Sequence, residues 1–104
     1  MTFTVLPAAE VEATEAAIWY DDRQPGLGSR FLDAFAETLD RIRLTPLNLT
    51  RLESYTGHHD VRRCMFKRFP YIAIVLVRDD ETIVVAVSHV RRRPFYWLER
   101  LGRT

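Results

Sequence analysis

One cysteine, Cys64, stands in 104 residues, so no disulfide can form within the chain and a reducing, cytoplasmic setting is expected. No apolar run approaches the roughly 20 residues that a membrane helix needs, so neither a span nor a membrane partner is expected. The N-terminus lacks a basic start followed by a hydrophobic block, and no secretion signal is expected. Repeats and low-complexity linkers are missing too, which leaves a single domain over residues 1–104. Lysine is nearly absent: Lys67 stands alone beside fourteen arginines. Arginine offers a planar fork to carboxylate or phosphate, whereas lysine is a point charge. A genome rich in G and C also favours arginine codons, but it does not explain where the arginines fall.

They fall late. Residues 1–59 carry five arginines against nine acids, a balance of −4, while residues 60–104 carry ten basic groups against five acids, a balance of +5. The near-neutral total therefore hides a dipolar chain, which points to a basic surface with an anionic partner. The expectation is one anion-seeking face that gathers the late-chain guanidinium groups, Arg63 and Arg92 among them. Hydrophobic residues at 47% exclude a disordered tail.

The pattern along the chain reads strand, helix, helix, strands. "TFTVL" alternates and suits a strand at residues 2–6, closed by Pro7. A helix follows at about 8–22, with Ala9, Ala13, Ala16, Ala17 and Tyr20 on one stripe and Glu12, Glu15, Trp19 and Asp22 on another. The small residues allow a neighbour to approach closely. "RQPGLGSR" breaks the pattern. A second helix, 27–45, puts Phe31, Ala34, Phe35, Leu39 and Ile42 on one face and ends at Pro46. The short connection predicts an antiparallel helical hairpin, with Trp19 and Tyr20 cementing it.

Residues 47–60 are polar and mixed, a loop with some extended structure. "VRRCMFKRF" reads as a half-exposed strand, and "YIAIVLV" is apolar on both faces, the mark of a central strand. "RDDE" turns the chain and "TIVVAVSH" returns antiparallel beside it. Pro94 permits a short helix over 95–101. The sum is an α+β fold: an N-terminal strand, an antiparallel two-helix hairpin, then a three-strand antiparallel meander. Together the strands form a small curved sheet with the helices on one face.

Several residues invite chemistry. "HHD", His58 to Asp60, lacks the further ligands that a four-coordinate metal site needs, and no metal or cofactor is expected. Cys64 sits inside a strand with no partner motif and is expected in the core. His89 has the pKa range of a general base, but a ring hydrogen bond tying it to the C-terminal segment is the expectation. Trp97 is expected to pack the tail against the sheet, while Tyr96 suits either packing or stacking on a partner.

Five segments carry a resemblance when taken in order: "WY" (19–20), "PGLGSRF" (25–31), "IRLTP" (42–46), "VRRCMFKRFPY" (61–71) and "VSHVRRRPFYW" (87–97). Together they resemble the RelE/ParE superfamily of bacterial toxins from toxin–antitoxin pairs, and most closely its ParE branch. The resemblance implies the same strand–helix–helix–three-strand order and a toxin neutralised by a cognate antitoxin.

In the superfamily's ribosome-dependent ribonucleases, the messenger's 2′-OH attacks the neighbouring phosphate, which requires a proton acceptor, charges around the phosphorane and a proton donor. The resemblance places two of their basic positions at Arg63 and Arg92, and two others at Met65 and Ile72, which are apolar. Tyr96 lies near their catalytic tyrosine without being in register, and His89 is the remaining candidate. Losing one stabilising contact of this kind costs about 3 kcal/mol or more. The ParE branch instead poisons DNA gyrase by binding, which needs no acid–base pair. That reading is preferred, with Arg91, Arg92, Arg93, Tyr96 and Trp97 as target-binding candidates. The alternatives are a ribonuclease whose partners are ribosome and mRNA, and a toxin-derived binding protein without toxicity. Antitoxin carboxylates are expected on Arg62, Arg63, Arg68 and Arg92.

Overall fold

A computed structural model describes residues 1–103. The elements are β1 (Thr2–Val5), α1 (Pro7–Arg23), α2 (Leu27–Leu44), a 3₁₀ turn (Pro46–Asn48), β2 (Thr50–Arg51), β3 (Asp60–Met65), β4 (Tyr71–Arg78), β5 (Glu81–His89) and a 3₁₀ segment (Leu98–Arg103). This is the expected α+β architecture, with the helical hairpin on one face of an open sheet.

Two edges go beyond the expectation. The sheet has five strands in the order β1-β5-β4-β3-β2, and β1 joins β5 in parallel, so the sheet is mixed rather than antiparallel throughout. The two-residue β2 pairs with β3 on the far edge. A four-residue alternation identifies a strand but says nothing of which edge it will join. The C-terminal helix expected over 95–101 is instead the tighter 3₁₀ segment, starting at Leu98. Phe95 has φ 64, which a right-handed helix cannot include.

β4 is buried on both faces, as its unbroken apolar run requires. Ala73, Val75 and Val77 meet the helices, whereas Ile74 and Leu76 face a second core that Trp97 and Leu101 complete. Opposite the Ile74/Val75 step, Ala86 pairs with Ile74 and Val84 with Val75, leaving Val85 as an extra residue in β5. Val85 and Ala86 consequently face the second core together, the signature of a bulge.

The helices approach closely, as the alanines allow. Ala9, Ala13, Ala16 and Ala17 are all buried. Gly28 opens the contact on α2, since a Cβ there would lie 2.6 Å from the Ala17 carbonyl oxygen. Asp21 Oδ1 accepts the Gly26 and Gly28 N–H groups at 2.9 and 3.1 Å, occupying two donors at the start of α2. Tyr20 stacks on Phe31 across the hairpin at 5.6 Å. Trp19 is half-exposed and makes its ring contacts within α1, edge-on to Tyr20 at 5.1 Å and under the Arg23 guanidinium at 3.5 Å from its centroid. Cys64 is buried in the core, and burial pushes its thiol up.

Candidate functional site

The outer edge of β5 beyond β1 organises the site. Pairing with β1 ends at Val84, where the Leu6 N–H makes the last backbone bond at 3.0 Å. α1 then takes over the edge with a side chain. Glu12 Oε1 accepts the Val87 N–H at 3.0 Å, and Arg100 Nη1 donates both to the same oxygen and to the Val85 carbonyl, each at 3.0 Å. Arg92 Nη1 donates to Glu12 Oε2 at 3.2 Å, and Arg100 Nη2 reaches it at 3.3 Å. The Glu12 side chain is only 9% exposed, and a carboxylate so far from water needs that company of two cations and an amide.

Tyr96 completes the cluster. The Arg92 guanidinium lies 3.6 Å over its ring and the Arg100 guanidinium 5.2 Å. Its hydroxyl is buried without a hydrogen bond of good geometry. Burial first, and the neighbouring Glu12 carboxylate second, push the phenol up to about 12, against the smaller pull of Ser88 and Arg92. It therefore stays protonated at neutral pH.

After β5 the chain turns tightly. The His89 carbonyl accepts the Arg92 N–H at 3.0 Å, and His89 Nδ1 accepts the Arg91 N–H at 3.0 Å, the expected tie between its ring and the C-terminal segment. The three arginines differ in their partners. Arg92 folds back onto Glu12, while Arg91 and Arg93 are exposed and, among the described residues, their guanidinium groups have no ion-pair partner. Trp97 is 3% exposed and anchors the segment rather than offering a surface.

The late-chain arginines do not gather on one face. Arg62 and Arg63 are consecutive in β3, and a strand alternates its side chains. Arg62 turns to the helix side, where Asp60 holds Nε and Nη2 at 3.0 and 3.1 Å and the Leu47 and Leu49 carbonyls accept Nη1 at 2.8 and 3.2 Å. Arg63 turns to the opposite side and meets Glu53 at 3.4 Å. Arg68 sits exposed in the β3–β4 turn with φ 71, over a cleft of about 650 Å³ that Arg30 and Lys67 also border. Arg92 borders two other clefts, neither of which Arg63 reaches. Arg63 and Arg92 each have a carboxylate partner of their own, Glu53 and Glu12.

The remaining ribonuclease positions are neighbours. Met65 and Ile72 are direct cross-strand partners between β3 and β4, an apolar pair on the face away from the helices. Sequence reading missed Glu12 and Arg100 as members of the site. Glu12 carried only its place on the polar stripe of α1, and nothing local announces that a bulged edge lies opposite.

The family model for the ParE toxin of the type II toxin–antitoxin system parDE matches residues 5–94 of this chain. No curated protein matches it. Among solved structures, a chain of the chromosomal ParDE TA system from P. aeruginosa superposes with a TM-score of 0.66 at 15% identity, covering 86% of this chain and 95% of that one. At that identity the likeness speaks for the fold.

Proposed function

The chain belongs to the ParE toxin family of type II toxin–antitoxin systems, and we propose that it arrests growth by binding DNA gyrase rather than by catalysis. The observation that carries this reading is the fate of the four ribonuclease positions. Two form the apolar Met65–Ile72 pair, Arg63 is engaged by Glu53, and Arg92 is engaged by Glu12. Met65 and Ile72 bring no charge to steady a pentavalent phosphate, and in the free chain Arg63 and Arg92 each sit on a carboxylate. Tyr96, its hydroxyl buried and held protonated, is a poor proton acceptor at neutral pH. What the segment does offer is a pair of exposed guanidinium groups, Arg91 and Arg93, on the loop that precedes the buried Trp97. With Arg92 and the Tyr96 ring beside them, they form the target-facing surface.

The antitoxin is the second partner. Its carboxylates meet Arg68 directly and reach Arg63 and Arg92 by displacing Glu53 and Glu12. Arg62 contributes from beneath, by holding the segment after α2 in place.

Controlled expression in a bacterial host tests the reading. Filamentation with accumulated gyrase-cleaved DNA is the expected result. Rapid mRNA loss with intact DNA would replace binding by ribonuclease action, and normal growth would leave a binding protein without toxicity.

A further inference from the structure

Glu12 is the most buried of the ion-paired carboxylates among the described residues; the next, Asp60, is 27% exposed. From 75 to 88 residues away in sequence, it ties together the bulged edge of β5, the arginine loop and the 3₁₀ segment. Holding the tail down does not by itself require this. Trp97 and Leu101 already fix its far end, at 3% and 4% exposure in the second core. The loop at residues 90–94 has no such anchor and is exposed throughout. Its base is held through the Val90, Arg91 and Arg92 N–H groups, which donate to the Pro70 carbonyl, His89 Nδ1 and the His89 carbonyl. Among the described residues, Arg92 is the one side chain of the loop held by an ion pair, and Glu12 holds it.

We propose that Glu12 is the positioning residue of the target-binding loop. By fixing Arg92 it sets where Arg91 and Arg93 point, and through Arg100 it ties that loop to the 3₁₀ segment that Trp97 and Leu101 already hold in the second core. The inference rests on the reading that residues 91–97 meet the target. The two arginines are not equivalent. Arg100 is 19% exposed, lies across both oxygens of Glu12 and is shared with the Val85 carbonyl, whereas Arg92 is 50% exposed and touches one oxygen. Arg92 is thus the exchangeable arm. When it swings to an anion on a partner, Arg100 and the Val87 amide keep Glu12 compensated, and the cost of leaving a bare buried carboxylate does not arise.

The test is amide hydrogen exchange on the whole chain, free and with its antitoxin, beside growth inhibition. Glu12→Gln keeps an oxygen for the Val87 N–H but removes the charge. Exchange at residues 90–97 of the free chain should rise roughly tenfold with β4 unchanged. Growth inhibition should fall by roughly the same factor as the surface loses its preorganisation. Unchanged exchange in the loop overturns the proposal, as does a loosened loop with undiminished toxicity. Should Glu12→Gln not fold, Arg92→Gln decides, because its side chain is half in solvent. Faster exchange at residues 90–93 with residues 98–103 unchanged is expected, and no change overturns the proposal. Full toxicity of an Arg91→Glu, Arg93→Glu double variant would instead remove the target reading, while the exchange result for Glu12 still stood as a property of the fold.

Discussion

Arg62 and Arg63, adjacent in β3, leave the sheet on opposite faces and do opposite work. Arg62 is 10% exposed and saturated by Asp60 and two carbonyls, while Arg63 is 33% exposed and meets only Glu53. Arg62→Ala leaves Asp60 with only the 4.0 Å contact to Arg51 and frees two backbone acceptors, and should destabilise the protein by about 2 kcal/mol. Arg63→Ala should cost about 0.5 kcal/mol or less, as partly exposed pairs do. Denaturant midpoints of the two purified variants check this, and equal shifts would contradict the placement.

That pair also marks how far sequence reasoning reaches. Period-two alternation alone forbids neighbours in a strand from sharing a face, so the residue pattern itself rules out a common arginine surface containing both. Element order was equally legible, because it depends on local periodicity and on Pro7, Pro46 and the glycine turn. The helix contact was foreshadowed by its alanines. The edges were not legible: β1 is four residues long, and its choice of β5 rests on where the hairpin returns the chain. Glu12 was illegible for the same reason. Its partners lie 75 to 88 residues away, and its charge is tolerable only because the bulge and the tail bring them together.

The contact between the helices predicts intolerance at Gly28. A methyl group there would stand 2.6 Å from the Ala17 carbonyl and 2.9 Å from Asp21 Cβ, and neither is the loose end of a side chain. Gly28→Ala gains helix propensity, yet overpacking against backbone should win and cost about 1–3 kcal/mol. Thermal unfolding measures it. A stabilised variant would mean that the hairpin can open without loss.

Alkaline titration should single out Tyr96. Its phenol is raised from 10.0 to about 12 in the folded chain, by burial and then by Glu12. Below pH 10 both states are protonated and the neutral phenol's contribution is intact. As pH rises from 10 to 12 the unfolded chain ionises first, and stability falls. Tyr96→Phe removes the buried unpaired hydroxyl, so its stability should be flatter across that window and no lower at neutral pH. Phenolate absorbance followed with denaturant titrations checks both points.

Arg68 gives the sharpest opposition between fold and function. It holds φ 71 in the β3–β4 turn, a left-handed conformation that costs an L-residue about 1 kcal/mol or more. Its side chain is exposed, and among the described residues it has no ion-pair partner to offset that cost. Strain kept at an exposed cation is intelligible where the cation meets a partner. Arg68→Gly should therefore raise the stability of the free chain by about 0.5–1 kcal/mol. The same change removes a guanidinium from the cleft bordered by Arg30 and Lys67, and should weaken antitoxin binding by about 1.5 kcal/mol, the worth of one hydrogen-bonded charge. Unfolding of the free chain and calorimetric titration with the antitoxin must move in opposite directions. If affinity holds while stability rises, Arg68 leaves the antitoxin surface; if stability falls, the turn is held by something other than its backbone.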